Sequence, residues 1–339
     1  MRTNPRSIAG RGPLALGALV AMAATTAWAE PAPLAPEAAA WVMTPPLDDE
    51  KESENISGVA CQPTATPYRS CLLVGDEKRY ARTFALRGTT VVPGEKVTLL
   101  PKEEGDVAWD ETDAEAIAAD GAFYYLVGSH ALSRGGELQP SRFFVYRVPV
   151  DPATGAPSGA AVRSAGLRNL IEGVAPLRAH AGQPIAAAGS GSHGVNIEGL
   201  AVKDGQLYVG FRGPVIEGTA YLLRVAAAAL FAGQPADPRL LPIALGPGRG
   251  VRDLAAVASG LLVLAGPEAD QGATFALFFW DGSGARPRLL GELRKGQEAK
   301  AKPEGLLVLD EDATSYRVLV FHDGAKDGAP AAYRVPKAE

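Results

Sequence analysis

Glu198-Gly-Leu-Ala201 is one of five related phrases in this chain, and their recurrence decides how the rest is read. The others are Ser57-Gly-Val-Ala60, Glu115-Ala-Ile-Ala118, Asp253-Leu-Ala-Ala256 and Glu304-Gly-Leu-Leu307. Each opens on a polar residue, a carboxylate in four of the five, and continues with small and apolar residues. A second apolar run follows after a turn: Leu72–Gly75, Tyr124–Gly128, Leu207–Gly210, Leu261–Ala265 and Arg317–Phe321. A unit recurring every ~50 to 80 residues marks a repeat architecture.

Each repeat reads as four strands. In the third they fall at Ile197–Val202, Gln206–Phe211, Ala220–Val225 and Arg239–Leu245. Turn signals such as Lys203-Asp-Gly, Ser259-Gly and Asp281-Gly-Ser-Gly divide them. With 39 Gly and 27 Pro, the composition favours many short strands over long helices. Four-stranded units arranged about an axis make a β-propeller, here an all-β fold of five blades. The 83 residues between the second and third phrases leave a count of six open. We assign that excess to an insertion near 165–194, with a short helix over Ala165–Ala175 and a Gly/Ala/Ser loop after it. The last repeat has room for three strands only. The apolar run Ala38–Thr44 is expected to supply the fourth and close the ring, which removes an open sheet edge.

The first 29 residues read as a secretory signal peptide, with Arg2, Arg6 and Arg11, an apolar stretch, and Ala27-Trp-Ala29 as the cleavage signature. Cleavage after Ala29 would leave residues 30–339 as a single propeller domain, periplasmic or extracellular and not held by a membrane. Those three arginines account for the difference between a net charge of −5 for the whole chain and −8 for the mature one. Such acidity excludes nucleic acid, which needs a basic footprint, and suits cations. The chain is expected to be a monomer. Its two cysteines, Cys61 and Cys71, belong to the first repeat, where hairpin neighbours in an oxidising compartment can form a disulfide. Two buried free thiols are the other reading.

Packing near the axis explains most of the phrase. Strand side chains alternate between faces, and one face of each inner strand carries mainly Gly and Ala, as a narrow wedge requires. Packing does not explain the opening residues Ser57, Glu115, Glu198, Asp253 and Glu304. An antiparallel hairpin begins and ends at one edge. The same face therefore collects these five, together with His130, Arg212 and, just upstream of Glu198, His193. Carboxylates crowded about an axis repel one another and need a resolution. One is a hard cation such as Ca²⁺ or another divalent ion held by Ser57, Glu115, Glu198, Asp253 and Glu304. The others are pairing with Arg212, Arg252 or Lys302, and hydrogen bonds to loop amides. His130 and His193 are candidate acid–base groups, and Arg212 and Arg134 candidate anchors for an anionic group. The sequence contains no glycine-rich phosphate loop, G-x-S-x-G elbow, C-x-x-C or H-E-x-x-H.

Three stretches, Ser192-His-Gly-Val-Asn-Ile-Glu-Gly-Leu-Ala201, Leu207-Tyr-Val-Gly-Phe-Arg-Gly-Pro214 and Tyr125-Leu-Val-Gly-Ser-His130 followed by Ser141-Arg, resemble the bacterial family DUF3616. The resemblance implies a secreted protein with propeller-like repeats and no established activity. More loosely, the E-G-L-A phrases look like those of phytase-like and gluconolactonase-like propellers, whose axial carboxylates and ion serve hydrolysis. This chain departs from them in lacking a dense acidic phosphate-binding cleft signature.

Two functions follow as expectations. The first is a cation-dependent hydrolase of a small phosphate ester, anhydride or lactone. In it Glu198 and Glu304 hold the ion, His130 is the acid–base group, and Arg212 binds the anionic substrate. The rival is a non-enzymatic propeller that binds a small ligand or a protein on the same face.

Overall fold

A computed structural model describes residue 1 and residues 31–63, 70–133, 135–185, 194–269, 273–294 and 300–337. The expected signal segment and the Gly/Ala/Ser loop at 186–193 lie outside the described residues. Among the described residues no helix is long and apolar enough to cross a membrane.

Five small sheets form a ring. Blade one has its inner strand at Ile56–Cys61, followed outward by Ser70–Gly75, Tyr80–Arg87 and Thr90–Thr98. Blade two comprises Ala114–Ala119, Phe123–Gly128, Val145–Pro149 and Val162–Ser164. Blade three runs from Asn196–Lys203 through Gln206–Gly213 and Ala220–Ala226 to Arg239–Ile243. Arg249–Val257, Gly260–Pro267, Ala276–Trp280 and Arg288–Glu292 build blade four. Blade five has three strands, Lys302–Glu311, Ser315–Asp323 and Ala331–Pro336. Within each blade, neighbouring strands of the repeat are antiparallel hairpins. The insertion after blade two contains the helix Gly166–Gly173, its apolar side buried through Leu167 and Ile171.

Five apolar clusters of described residues hold the ring, one in each gap between blades. Ile117 and Tyr124 of blade two pack on Leu72 and Val74 of blade one. Val127 meets Ile197 across the next gap, which the inserted helix also covers. Leu222 meets Val263, Leu264 meets Val320, and Ile56 and Leu73 meet Phe321. Burial of such side chains contributes roughly 1.5–3 kcal/mol each. The inner strands come close enough to require residues without bulk. A Cβ built on Gly58 would lie 2.8 Å from the Ala116 Cα, and one on Gly199 would lie 2.7 Å from Val251 Cγ1.

The ring is joined by the N-terminal segment, in a manner that differs from a fourth strand in blade five. Residues 34–43 act as a strap across three blades. Leu34 N–H donates to the Glu292 carbonyl (2.7 Å) at the outer edge of blade four. Glu37 N–H donates to the Ala332 carbonyl (2.7 Å) of blade five, and its carboxylate pairs with Arg317 at 2.6 Å. Val42–Met43 then joins blade one, parallel to Thr90 and Val91. Trp41 and Met43 are buried between blades five and one. The expected closure by this segment holds. Its ladder pairing is with the first blade, because Ala332 and its neighbours receive only one backbone bond from it before it moves on.

Cys61 and Cys71 face each other across the first hairpin and form a disulfide.

Candidate functional site

The five inner strands share a local irregularity. In the first half of each, one residue is left out of the ladder with the second strand: Ser57, Glu115, Glu198, Arg252 and Glu304. Such a bulge bends the strand and re-aims a side chain. The fourth position is Arg252, one residue before Asp253. Aligned this way, Arg252-Asp-Leu-Ala255 matches Glu198-Gly-Leu-Ala201, and the fourth repeat loses its irregularity. The ring therefore contains one serine, three glutamates and one arginine.

Arg252 is the hub of one half of this ring. It is 1% exposed, its Nε lies 2.9 Å from Glu198 Oε2, and its guanidinium also donates to Glu304 Oε1. Burial pulls the Arg252 pKa down to about 10, against the opposing pull of Glu198. Glu198 additionally accepts from Arg212 Nη1 (2.9 Å) and from the Asn196 amide (3.0 Å). Arg212 directs its Nε to the Glu268 carbonyl at 2.9 Å. Carboxylates from blades three and five are thus tied together through an arginine from blade four.

The other half is open. Four of the five ring residues, all but Arg252, line a cavity of about 350 Å³ at this end of the axis. Asp76 and Arg212 reach it from the ends of second strands, and Asp113 and Arg142 from blade two. Ser57 is 4% exposed, yet among the described residues its hydroxyl has no hydrogen-bond partner. The Glu115 carboxyl faces the same cavity and likewise meets no hydrogen-bond or ion-pair partner among the described residues. Asp76 uses one oxygen to accept from Glu77 N–H (2.8 Å). By contrast Asp113 pairs with Arg142 at 3.1 Å, and Asp323 lies 3.7 Å from Lys302.

Electrostatics follow from this geometry. Burial, then the charges of Asp113 and Asp323, push Asp76 up to about 7. Burial pushes Asp113 up to about 6, with Arg142 opposing it. Glu115 is raised well above the carboxylate range by burial and by the neighbouring Asp113, Glu198 and Asp76. Like charges in a confined, poorly hydrated site favour the protonated form. Carboxyl groups that hold their protons more tightly than usual therefore line the open half.

The sequence-derived candidates separate accordingly. Ser57, Glu115, Glu198, Glu304 and Arg212 come together at the cavity. Asp253 does not line it. Its carboxylate accepts from the N–H groups of Leu254 and Leu306 (both 2.7 Å), coupling blades four and five, and burial raises its pKa well above the usual value. His130 also lies apart. It is turned behind the insertion, with Nδ1 3.1 Å from the Gly128 carbonyl and its ring edge-on to Phe143. Arg168 and Glu172 of the inserted helix line the small separate pocket that its side chain borders. Burial lowers the His130 pKa to about 4, so it is neutral at physiological pH. His193 and Arg134 lie outside the described residues. Among the described residues, no three His, Cys, Asp or Glu side chains converge closely enough to hold a metal ion. Of the expected ligands, Glu198 and Glu304 are engaged by Arg252. The hairpin geometry that gathers the phrase openings also delivers Asp76 to this face, but sequence reasoning passed over Asp113 as a cavity group and took Arg252 as a pairing partner rather than a ring member. The Arg-Asp-Leu-Ala register was the signal for the last.

Residues 178–336 match the family DUF3616, described as a protein of unknown function. No curated protein matches the chain. Among solved structures, the chain is similar to a GH43 β-1,3-galactosidase with galactodeoxynojirimycin. The identity is 11%, with 89% of this chain and 94% of that chain covered and a TM-score of 0.48. It is also similar to the native arabinanase Arb43A of Bacillus subtilis. Here the identity is 11%, the shares are 84% and 95%, and the TM-score is 0.38. At these identities the similarity says nothing of what this chain acts on.

Proposed function

We propose that the axial cavity binds a small polar molecule on the half of its rim contributed by blades one and two. The observation that carries this reading is Ser57: a hydroxyl on a residue 4% exposed, facing a cavity with no hydrogen-bond partner among the described residues. Buried polar groups are normally satisfied, and one left open toward an accessible cavity suits a ligand. Glu115, at the equivalent bulge of the next blade, supports the same reading. The anionic ligand expected from Arg212 is less well supported. That guanidinium already bonds Glu198 and the Glu268 carbonyl, and the cavity lining carries more carboxylates than cations.

A second reading is hydrolysis of the bound molecule, a neutral lactone being compatible with the acidic lining. Its support is that Asp76, pushed to about 7, can act as a general acid at neutral pH. Nothing among the described residues supports the cation, or the acid–base role of His130, in that chemistry.

The test is a thermal-shift screen of neutral, cationic and anionic small polar compounds against wild type, Ser57→Tyr and Glu115→Gln. Compounds that stabilise wild type should lose their effect in both variants. Stabilisers indifferent to both substitutions would remove the site from this cavity. Activity of wild type on a lactone panel, abolished by Asp76→Asn, would move the reading from binding to hydrolysis.

A further inference from the structure

We propose that the group taken by the open half of the cavity is an organic cation, a protonated amine or a guanidinium, held by Ser57, Asp76 and Glu115. This rests on the reading of the axial cavity as a binding site and gives that site its ligand class.

Three observations lead there. First, the open wall is built of carboxyl groups and the serine hydroxyl. Arg142, Lys302 and Arg212, the cationic side chains lining the cavity, each pair with a carboxylate. An anionic ligand would find each cationic side chain already paired, and would be repelled by Asp76 wherever that carboxyl is ionised. Second, Ser57, a residue 4% exposed, lines the cavity, and its hydroxyl, without a hydrogen-bond partner among the described residues, is independent of the acidic residues. A hydroxyl can accept from an ammonium hydrogen while two carboxylates supply the charge. Third, among the described residues the carboxylates do not gather into a metal-holding cluster. Spaced acceptors suit a larger cation with directional N–H donors better than a bare ion, which needs several oxygens at one short distance.

Binding such a cation has a protonic consequence. Asp76 faces Asp113, Asp323 and Glu77. Glu115 faces Asp113, Glu198 and Asp76, with Arg252 as the opposing charge. An ammonium placed among them favours the ionised carboxylate, so the site gives up a proton as the ligand enters. A ligand that binds only the ionised form of a carboxyl titrating near 7 binds about tenfold more weakly at pH 6 than at pH 8.

Three probes of equal chain length separate the possibilities: 1,4-diaminobutane, butane-1,4-diol and succinate. Calorimetric titration of the wild-type chain at pH 8 should show binding of the diamine alone. Its affinity should fall about tenfold at pH 6, and mixing in weakly buffered solution at pH 6.5 should release protons. Glu115→Gln should weaken diamine binding at least tenfold. Ser57→Ala, a milder change, should weaken it several-fold, with circular dichroism confirming that both variants fold. Failure of the diamine to bind at pH 8, or binding unchanged in Glu115→Gln, overturns the inference. Diol or succinate binding as tightly as the diamine, and lost in Ser57→Tyr, overturns the cation but leaves the cavity standing as a binding site. If all three probes fail and the wider screen also finds no ligand lost in Ser57→Tyr, the underlying reading falls with it.

Discussion

Arg252 Nε lies 2.9 Å from Glu198 Oε2, and the two residues occupy the same bulged position on neighbouring inner strands. One repeat position thus carries opposite charges in adjacent blades, and each neutralises the other where neither could stand alone. Removing one partner of a buried pair leaves an uncompensated charge and costs about 3–5 kcal/mol. Arg252→Met should lower stability by that order in urea unfolding. Adding Glu198→Gln and Glu304→Gln should recover a good part of it. If Arg252→Met unfolds at the wild-type midpoint, the pairing contributes nothing.

The raised carboxyls fix how stability depends on pH. The Asp76 pKa, ordinarily 3.8, rises to about 7 in the folded chain, and that of Asp113 rises to about 6. Between roughly pH 4 and 7 the folded state therefore holds protons that the unfolded state has lost. The contribution of these groups is fullest at the acid end of that window and fades as pH rises through the folded values. Asp76→Asn should flatten the slope of melting temperature against pH between 5 and 7.5. A variant slope equal to that of wild type would argue that Asp76 is ionised throughout.

The Cys61–Cys71 bridge closes a short loop, with a separation of 10 residues. By the loop-entropy estimate, a cross-link of this length contributes about 2–3 kcal/mol. Cys61→Ser with Cys71→Ser should reduce stability by that order, measured by chemical unfolding. The same loss should appear when wild type is unfolded under reducing conditions.

Close approach at the axis gives a sharper test. Gly58→Ala brings a methyl group to 2.8 Å from the Ala116 Cα, a backbone atom that cannot swing away. Overpacking of this kind costs about 1–3 kcal/mol. Gly173→Ala, where a Cβ meets nothing within 4 Å, serves as the control and should not be destabilising. Equal melting temperatures for the two variants would show that the inner strands separate readily.

The fold was readable because its packing constraint repeats. Small residues at Gly58, Ala116, Gly199 and Gly305 recur wherever blades crowd, and the strand ends follow from turn residues. The strap was half readable. Apolar residues such as Trp41 and Met43 announce burial, but the choice of blade edge depends on geometry that local sequence does not record. The gathering of Ser57, Glu115, Glu198 and Glu304 at one end of the axis was readable, because packing left those residues unexplained. It was misread at Asp253, because a carboxylate looked like the natural fourth member, whereas register assigns the position to Arg252. His130 was misread for a related reason. Its strand ends on the correct face, but the turn at Ser129–Ala131 and the inserted helix behind it direct the ring elsewhere. Asp76 follows from the hairpin that ends at Gly75, whereas Asp113 stands out only once neighbouring blades are brought together.

The strap also sets an order of events. Residues 34–43 are translated before any blade exists, yet two of their anchor points, Glu292 and Ala332, are among the later residues made. A chain growing from the ribosome can assemble its early blades as each is completed. It cannot fasten the clasp until blade five has emerged. A stretch made before every blade is therefore the last to find its place, and the ring stays an open arc, with two apolar blade faces uncovered, until blade five has been made.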